Sequence, residues 1–152
     1  MKMEIKQLHL AAPIYYLREQ NTVLEDPNTA LQAENLPEER IYCYELEPSQ
    51  ALEFEPCRDS FLKNPVFCGK TPEQNQKLGS IENDTEELPE GTYLLYQEEG
   101  YLKSDRIKEI AYEIQQEGLW RRLLPCPRHY IRFIREDNRI VTQLLRPYLL
   151  KS

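Results

Sequence analysis

Aromatic side chains carry the most informative chemistry in this 152-residue sequence, which contains ten tyrosines, four phenylalanines and a single tryptophan. A buried tyrosine hydroxyl needs a hydrogen-bond partner, so a tyrosine-rich sheet favours a surface that is partly apolar and partly wet. Ligand pockets combine aromatic walls with a few polar groups in this way. The alternative for each tyrosine is its general preference for strands. The aromatic candidates for ligand contact are Tyr15, Tyr93, Tyr96, Tyr112, Trp120 and Tyr130.

The cysteines and histidines do not indicate a metal centre. The cysteines lie at positions 43, 57, 68 and 126 without a C-x-x-C pair, and the two histidines, His9 and His129, are isolated. Structural zinc sites use closely paired ligands, so we expect no metal and no cofactor. The thiols are expected to be small, buried and reduced. A cysteine paired with one of the histidines for nucleophilic catalysis remains an alternative without local support.

Other catalytic signatures are missing from the sequence. It has no Walker loop, no G-x-G-x-x-G, no G-x-S-x-G and no H-E-x-x-H, and only five glycines are available for a phosphate cradle. Adjacent acidic pairs occur at 38–39, 86–87 and 98–99. Neighbouring residues on a strand point to opposite faces, so these pairs predict solvated surface rather than an acid–base dyad. The sequence therefore favours a non-enzymatic protein.

Charge is distributed unevenly along the chain. The net charge is −7, and residues 1–100 carry 8 Lys/Arg against 20 Asp/Glu, whereas residues 101–152 carry 11 against 6. The halves thus have net charges of −12 and +5, and the acidic surface argues against nucleic-acid binding. The arginines near the C-terminus are expected to meet the acidic half or an acidic partner. No apolar run is long enough for a membrane span and no signal-peptide core is present, which predicts a soluble cytoplasmic protein.

The second half of the chain predicts one strand, one helix and a hairpin. Ser104 is a candidate N-cap for a helix over 104–117, followed by Asp105 and an apolar stripe at 107, 110, 111 and 114. Gly118 is expected to end or bend this helix. The turn signal at 88–91 precedes a strand over 91–97, and the polar residues 136–139 connect strands over 129–135 and 139–146.

The first half of the chain suggests the same order of elements. A strand is predicted at 14–17, a short helix at 28–35 after the Asp26-Pro27 cap, and a strand at 40–46. Either 51–55 or 65–68 supplies the next strand. The polar and acidic residues 70–90 predict an exposed connection between the halves.

An internal duplication would explain these two similar halves. Residues 14–19 can be laid over residues 93–98 at an offset of 79, close to half the chain length, although chance similarity between two aromatic strands is an alternative. We therefore predict one α+β domain over 1–152, with halves at about 1–70 and 88–150. Each half is a β-α-β-β unit, and together they form an antiparallel sheet with two helices packed on it.

Several short motifs resemble a known family. The segment Leu88-Pro-Glu-Gly-Thr-Tyr-Leu-Leu-Tyr96 is similar to a strand of the GyrI-like small-molecule-binding domain, which has a SOUL-like fold and is also the effector-binding module of MerR-type multidrug-responsive regulators. Gly100, the helix, Trp120, the segment 127–130 and the final strand before Pro147 follow in the family's order. Residues 12–18 resemble its first strand.

The resemblance implies a duplicated β-α-β-β fold with a ligand cleft on the sheet between two helices. It implies an effector-binding domain for a small aromatic or amphipathic ligand, either in transcription regulation or as a stand-alone drug-binding protein. Many members carry a glutamate near the start of the last strand, where this chain has Gln143. Because a buried carboxylate is the main partner of a lipophilic cation, a neutral or differently charged ligand is an equal alternative.

Two further functions remain open at this point. Gyrase-inhibitor relatives imply a protein-interaction module, with a protein partner or self-association. Other relatives of the fold hydrolyse electrophilic compounds. Here the acid would have to come from a position other than 143, with Glu109 or Glu113 as candidates, and a carboxylate within the cleft would support this function.

Overall fold

A computed structural model describes residues 4–18, 39–45, 66–71, 85–124, 126, 128–136 and 139–150. Eight strands and one helix lie in these ranges. They are β1 (Lys6–Leu10), β2 (Ile14–Arg18), β3 (Glu39–Glu45), β4 (Phe67–Lys70), β5 (Thr85–Leu88), β6 (Gly91–Glu99), α1 (Ser104–Trp120), β7 (Arg128–Glu136) and β8 (Arg139–Pro147). No helix in the described part is long and apolar enough to cross a membrane.

The strands form one antiparallel sheet in the order β1-β6-β8-β7-β3-β4-β2-β5. The architecture is therefore α+β with the sheet dominant, and the sheet curls into a half-barrel. The order has an internal symmetry. If the strands of the first half (β1 to β4) exchange numbers with the corresponding strands of the second half (β5 to β8), the result is the same order read backwards. In consequence β1 pairs with β6 of the second half, and β5 pairs with β2 of the first half.

Helix α1 packs on one face of the sheet, which we call the outer face. Ile107, Ile110 and Ile114 are fully buried there against Leu94 and Leu144 of β6 and β8. This is the predicted apolar stripe, and its burial is what holds the helix on the sheet. Tyr42, Tyr44, Cys68, Ile131 and Phe133 of the neighbouring strands belong to the same outer core.

The ends of α1 differ from the prediction. The N-cap is Lys103 rather than Ser104, and the backbone N–H of Ile107 donates to the Lys103 carbonyl at 3.0 Å. The helix also continues through Gly118 to Trp120. Gly118 is buried, and a Cβ there would lie 3.0 Å from Cζ of Arg146. The lack of a Cβ at position 118 therefore leaves room for the Arg146 side chain to pack against the helix.

Arg146 is buried between α1 and the segment that follows it. Its guanidinium donates to Oε1 of Gln115 at 2.7 Å, to the Leu124 carbonyl at 2.7 Å and to the Pro147 carbonyl at 2.8 Å. Gln115 in turn donates to the carbonyl of Cys126 at 3.0 Å. Because each guanidinium nitrogen has an acceptor, this network joins the helix end to β8.

The opposite, inner face has its own core. Its members come from all eight strands, including both edge strands: Leu8, Leu10, Ile14, Tyr16, Ile41, Cys43, Phe67, Leu88, Tyr93, Leu95, Tyr130 and Leu145. The curled sheet carries this core on its inner face, and the core runs across the whole sheet from edge to edge.

Most predicted strands are present with slightly longer bounds, and the 65–68 alternative supplies β4, at Phe67–Lys70. Strand β1 was not predicted, and β5 lies inside the stretch that was expected to be an exposed connection. The pairing of β5 with β2 places Leu88 opposite Ile14 and buries Leu88 completely. The predicted helix at 28–35 and the alternative strand at 51–55 lie outside the described residues.

Candidate functional site

Aromatic rings form the centre of the inner face. The ring of Tyr130 on β7 contacts Tyr93 on β6 edge-to-face, with centroids 6.1 Å apart, and Phe67 on β4 at 6.3 Å. Tyr93 and Tyr130 are almost fully buried, whereas Phe67 is half-buried. Burial is the main cause of the raised pKa of both tyrosines. They are neutral hydroxyls at physiological pH, and the Tyr93 hydroxyl donates to the Pro89 carbonyl.

A polar row crosses the inner face beside these rings. It consists of Gln97, Gln143, Arg132, Glu39 and Tyr16, contributed by β6, β8, β7, β3 and β2. Gln143 donates to Oε1 of Gln97 at 3.0 Å and accepts from Nη1 of Arg132 at 3.0 Å. Oε2 of Glu39 accepts from Nη2 of Arg132 at 3.0 Å and from the Tyr16 hydroxyl at 2.9 Å. One continuous hydrogen-bonded chain thus joins five strands.

The strand register explains why this row forms. Gln97 is directly opposite Gln143, and Gln143 is directly opposite Arg132, so all three project from the same face. Tyr130 and Arg132 are two positions apart on β7, which puts the aromatic centre and the cation side by side. The polar row therefore lies beside the aromatic rings, two residues farther along the strands, which is a distance of about 7 Å.

Gly69 allows Tyr16 to join the row across β4. A Cβ on Gly69 would lie 2.9 Å from Cβ of Tyr16 and 3.0 Å from the carbonyl oxygen of Leu17. Real Cβ atoms do not approach other atoms so closely. The glycine thus lets β2 come near enough for the Tyr16 hydroxyl to reach Glu39.

The Arg132–Glu39 ion pair is the electrostatic centre of the row. The Arg132 side chain is 8% exposed and that of Glu39 is 23% exposed. Burial is the main cause of the raised pKa of Tyr16, so its hydroxyl stays protonated and donates to the carboxylate. Within the described residues, the buried Nε of Arg132 has no acceptor. A buried donor of this kind is commonly satisfied by a ligand or by water.

The structure brings together three of the seven residues predicted to contact a ligand, namely Tyr93, Tyr130 and Gln143, all on the inner face. Tyr96 lies on the outer face, where its hydroxyl donates to Glu98 at 2.8 Å. Tyr112 packs against the outer core from the helix. Tyr15 is exposed on β2, facing away from Tyr16. Trp120 is the last residue of α1 and is 83% exposed.

Sequence reasoning missed the charged part of the site. Glu39 was assigned to solvated surface as one of an acidic pair, and Arg132 was only one of several C-terminal arginines expected to meet the acidic half or an acidic partner. Alternation along β7 could have placed Arg132 on the face of Tyr130, because the two positions have the same parity. Nothing local could have identified Glu39, since its contact with Arg132 depends on pairing between strands 93 positions apart.

The acidic catalytic candidates lie away from the inner face, and the buried cysteines are unsuited to catalysis. Glu109 and Glu113 are exposed on α1, and Glu109 accepts from Arg106 at 3.1 Å. The described cysteines, at positions 43, 68 and 126, are buried and free, as predicted, while Cys57 lies outside the described residues. Burial raises the pKa of the Cys43 thiol to about 12, which makes it a poor nucleophile.

The expected contact between basic and acidic halves is present in three ion pairs of the described residues, one of which joins Arg106 to Glu98 at 2.9 Å. Arg132 contacts Glu39, and Arg128 contacts Glu45 at 3.9 Å, both between β7 and β3. No known family profile matches the sequence, and no curated protein matches it either.

Proposed function

We propose that this chain is a non-enzymatic small-molecule-binding domain of GyrI-like type, whose ligand lies against the inner face. The observation that carries the proposal is Arg132, which presents a buried Nε without an acceptor beside the Tyr93–Tyr130 pair. An acceptor oxygen on a flat ligand would satisfy this nitrogen, and the aromatic rings would contact the apolar body. Leu95, Phe67 and Gln143 are half-buried and offer the surface through which such a ligand is reached.

The charge of the row favours a neutral ligand. The only described carboxylate within the row, Glu39, is already neutralised by Arg132 at 3.0 Å. Gln143 adds an amide instead of a second carboxylate, and its oxygen is bound to Arg132. A lipophilic cation would therefore meet a guanidinium without an unpaired counter-charge. Neutral aromatic or amphipathic compounds with a carbonyl group are the class that fits.

The strand order supports the proposed duplication. Each half contributes strands in the same relative order, and each donates its first strand to the other half. Two β-α-β-β units, each preceded by one further strand and related by an approximate two-fold axis, would produce this arrangement, with the axis between β3 and β7. The axis passes through the inner face, so the proposed ligand lies where the two units meet.

A thermal-shift screen tests the proposal with neutral flat lactones and flavones, and with a lipophilic quaternary ammonium dye as the charged comparison. We expect a neutral carbonyl compound to stabilise the protein and the dye not to do so. Arg132→Lys keeps a cation beside Glu39 but removes Nε, so it should abolish the stabilisation. Arg135→Lys is the matched control, because Arg135 is exposed on the same strand.

Calorimetric titration of the best compound then gives its affinity for each variant. Equal affinity in the Arg132→Lys and wild-type proteins would contradict the assigned site. Absence of any stabilising compound, or stabilisation by the dye alone, would contradict the proposed ligand class. Intrinsic tryptophan fluorescence is unsuited to this assay, because the exposed Trp120 lies at the end of α1 and not on the inner face.

A further inference from the structure

An apolar patch lies at the C-terminal end of α1. Its large exposed side chains are Leu119, Trp120, Leu124, Leu149 and Leu150, and the last of these is 68% exposed. The two chain segments that carry them meet there, because the Leu124 N–H donates to the Leu149 carbonyl at 2.8 Å and Leu123 is bridged to Leu150. We call these five side chains the tryptophan surface. Large exposed apolar side chains gathered in one region are typical of an interaction site.

The backbone at this surface has a conformation that normally selects glycine. Arg122 has a φ of 59°, the only described non-glycine residue with a positive φ. The turn is closed by the Leu123 N–H, which donates to the Gly118 carbonyl at 2.9 Å, and by the Arg122 N–H, which donates to Leu119 at 3.0 Å. A glycine would relieve the strain at this position. An exposed arginine held there points to a role for its side chain.

Two exposed charges of opposite sign lie on either side of Trp120. Glu113 is seven positions before Trp120 and therefore on the same helix face, about 10 Å along the axis. Arg122 follows two positions after Trp120. In the described part of the chain, neither Glu113 nor Arg122 has an ion-pair partner, whereas Arg121 is held by Glu117 at 2.8 Å. The surface thus has an acidic side and a basic side about an aromatic centre.

We propose that a second copy of this chain occupies the tryptophan surface in a two-fold symmetric dimer. A two-fold axis that crosses α1 midway between Glu113 and Arg122, within one turn of Trp120, would set two copies of α1 antiparallel, so that Glu113 of each copy faces Arg122 of the other. The two tryptophans and the leucines would pack together at the axis. Such a self-complementary surface is what a symmetric interface requires. The net charge of −7 opposes an anionic membrane surface as the occupant.

Sedimentation equilibrium of the full chain, from micromolar to millimolar concentrations, tests this proposal. We expect reversible dimerisation and a blue shift of tryptophan emission with concentration, since Trp120 is the single tryptophan. Trp120→Ala should weaken the dimer at least about 30-fold, as expected for a central aromatic anchor. Tyr15→Ala is the control, because Tyr15 is also an exposed aromatic but lies on β2.

A charge exchange distinguishes this dimer from unspecific apolar association. Arg122→Glu should weaken dimerisation, and adding Glu113→Arg to it should restore the dimer. A wild-type protein that stays monomeric, a dimer unaffected by Trp120→Ala, or failure of the double variant to recover would each overturn the proposal. The proposal would also be overturned if vesicles of phosphatidylcholine and phosphatidylglycerol shifted the tryptophan emission of the monomer, because a lipid surface would then occupy the tryptophan surface.

Discussion

Replacing Gly69 by alanine is predicted to destabilise the sheet where β2 approaches β4 most closely. The added Cβ would lie 2.9 Å from Cβ of Tyr16 and 3.0 Å from the Leu17 carbonyl oxygen. Neither is the free end of a flexible side chain, because both atoms are fixed by the backbone of β2. Overpacking of this kind costs about 1 to 3 kcal/mol. For a chain of this length the midpoint of thermal unfolding should fall by roughly 3 to 10 °C.

A double-mutant cycle connects this strain to the polar row. Tyr16→Phe alone removes the hydrogen bond to Glu39 at 2.9 Å and should cost about 1 kcal/mol. If alanine at position 69 pushes β2 away, Tyr16→Phe should cost almost nothing in that background. Urea unfolding of the wild type, both single variants and the double variant measures the coupling. Unchanged stability of the Gly69→Ala protein, or strictly additive effects, would refute the argument that Gly69 positions Tyr16.

Three further perturbations test the buried charges. Arg132→Met should cost about 2 kcal/mol in urea unfolding, since it leaves the half-buried Glu39 carboxylate without its cation, and adding Glu39→Met should recover part of this loss. Burial lowers the pKa of His129 to about 3, and the charge of Arg146 makes a smaller contribution. As the pH falls, the unfolded chain, in which histidine has a pKa of about 6.5, binds the proton before the folded chain does. The free energy of unfolding therefore decreases as the pH falls from about 6.5 toward 3. His129→Phe should therefore flatten the stability profile between about pH 7 and about pH 5, by up to about 1.4 kcal/mol per pH unit, and parallel profiles would contradict this. Gly118→Ala should destabilise the protein, although alanine is more favourable than glycine in a helix by about 1 kcal/mol. The reason is that Arg146 is held by three hydrogen bonds and cannot move away from the new Cβ. A gain in thermal stability would show that the Arg146 side chain can move.

Local patterns in the sequence were sufficient for the elements whose burial repeats regularly. The stripe from Ile107 to Ile114 predicted α1 because four apolar residues recur at helical spacing and pack on one sheet. The end of the helix could not be predicted in the same way. Glycine is common at the ends of helices. Only the close approach of Arg146, 28 positions later, shows why Gly118 lies inside α1.

Pairing between distant strands limited what could be predicted of the edges and the site. Strand β1 has only five residues, of which Leu8 and Leu10 alone are apolar, so the alternation was too short to predict the strand or its pairing with β6. Strand β5 reads as an acidic connection because two of its four residues are glutamates. For the site, aromatic content drew attention to Tyr93 and Tyr130, which lie together on the inner face. The ion pair of their neighbour Arg132 could not be predicted, because its partner Glu39 lies on β3, 93 positions earlier in the sequence.

The exchange of β1 and β5 between the halves also governs how the chain acquires its fold. Lys6 pairs with Leu95, which is 89 positions later, and Ile14 pairs with Leu88, 74 positions later. At the centre of the sheet Tyr42 pairs with Ile131, again 89 positions later. Each of these pairings must close a long loop before any hydrogen bond compensates the lost entropy, so folding is expected to be slow. During synthesis, β1 stays unpaired with β6, and β3 unpaired with β7, until roughly 80 to 90 further residues have been made, which takes several seconds or more at about 5 to 20 residues per second.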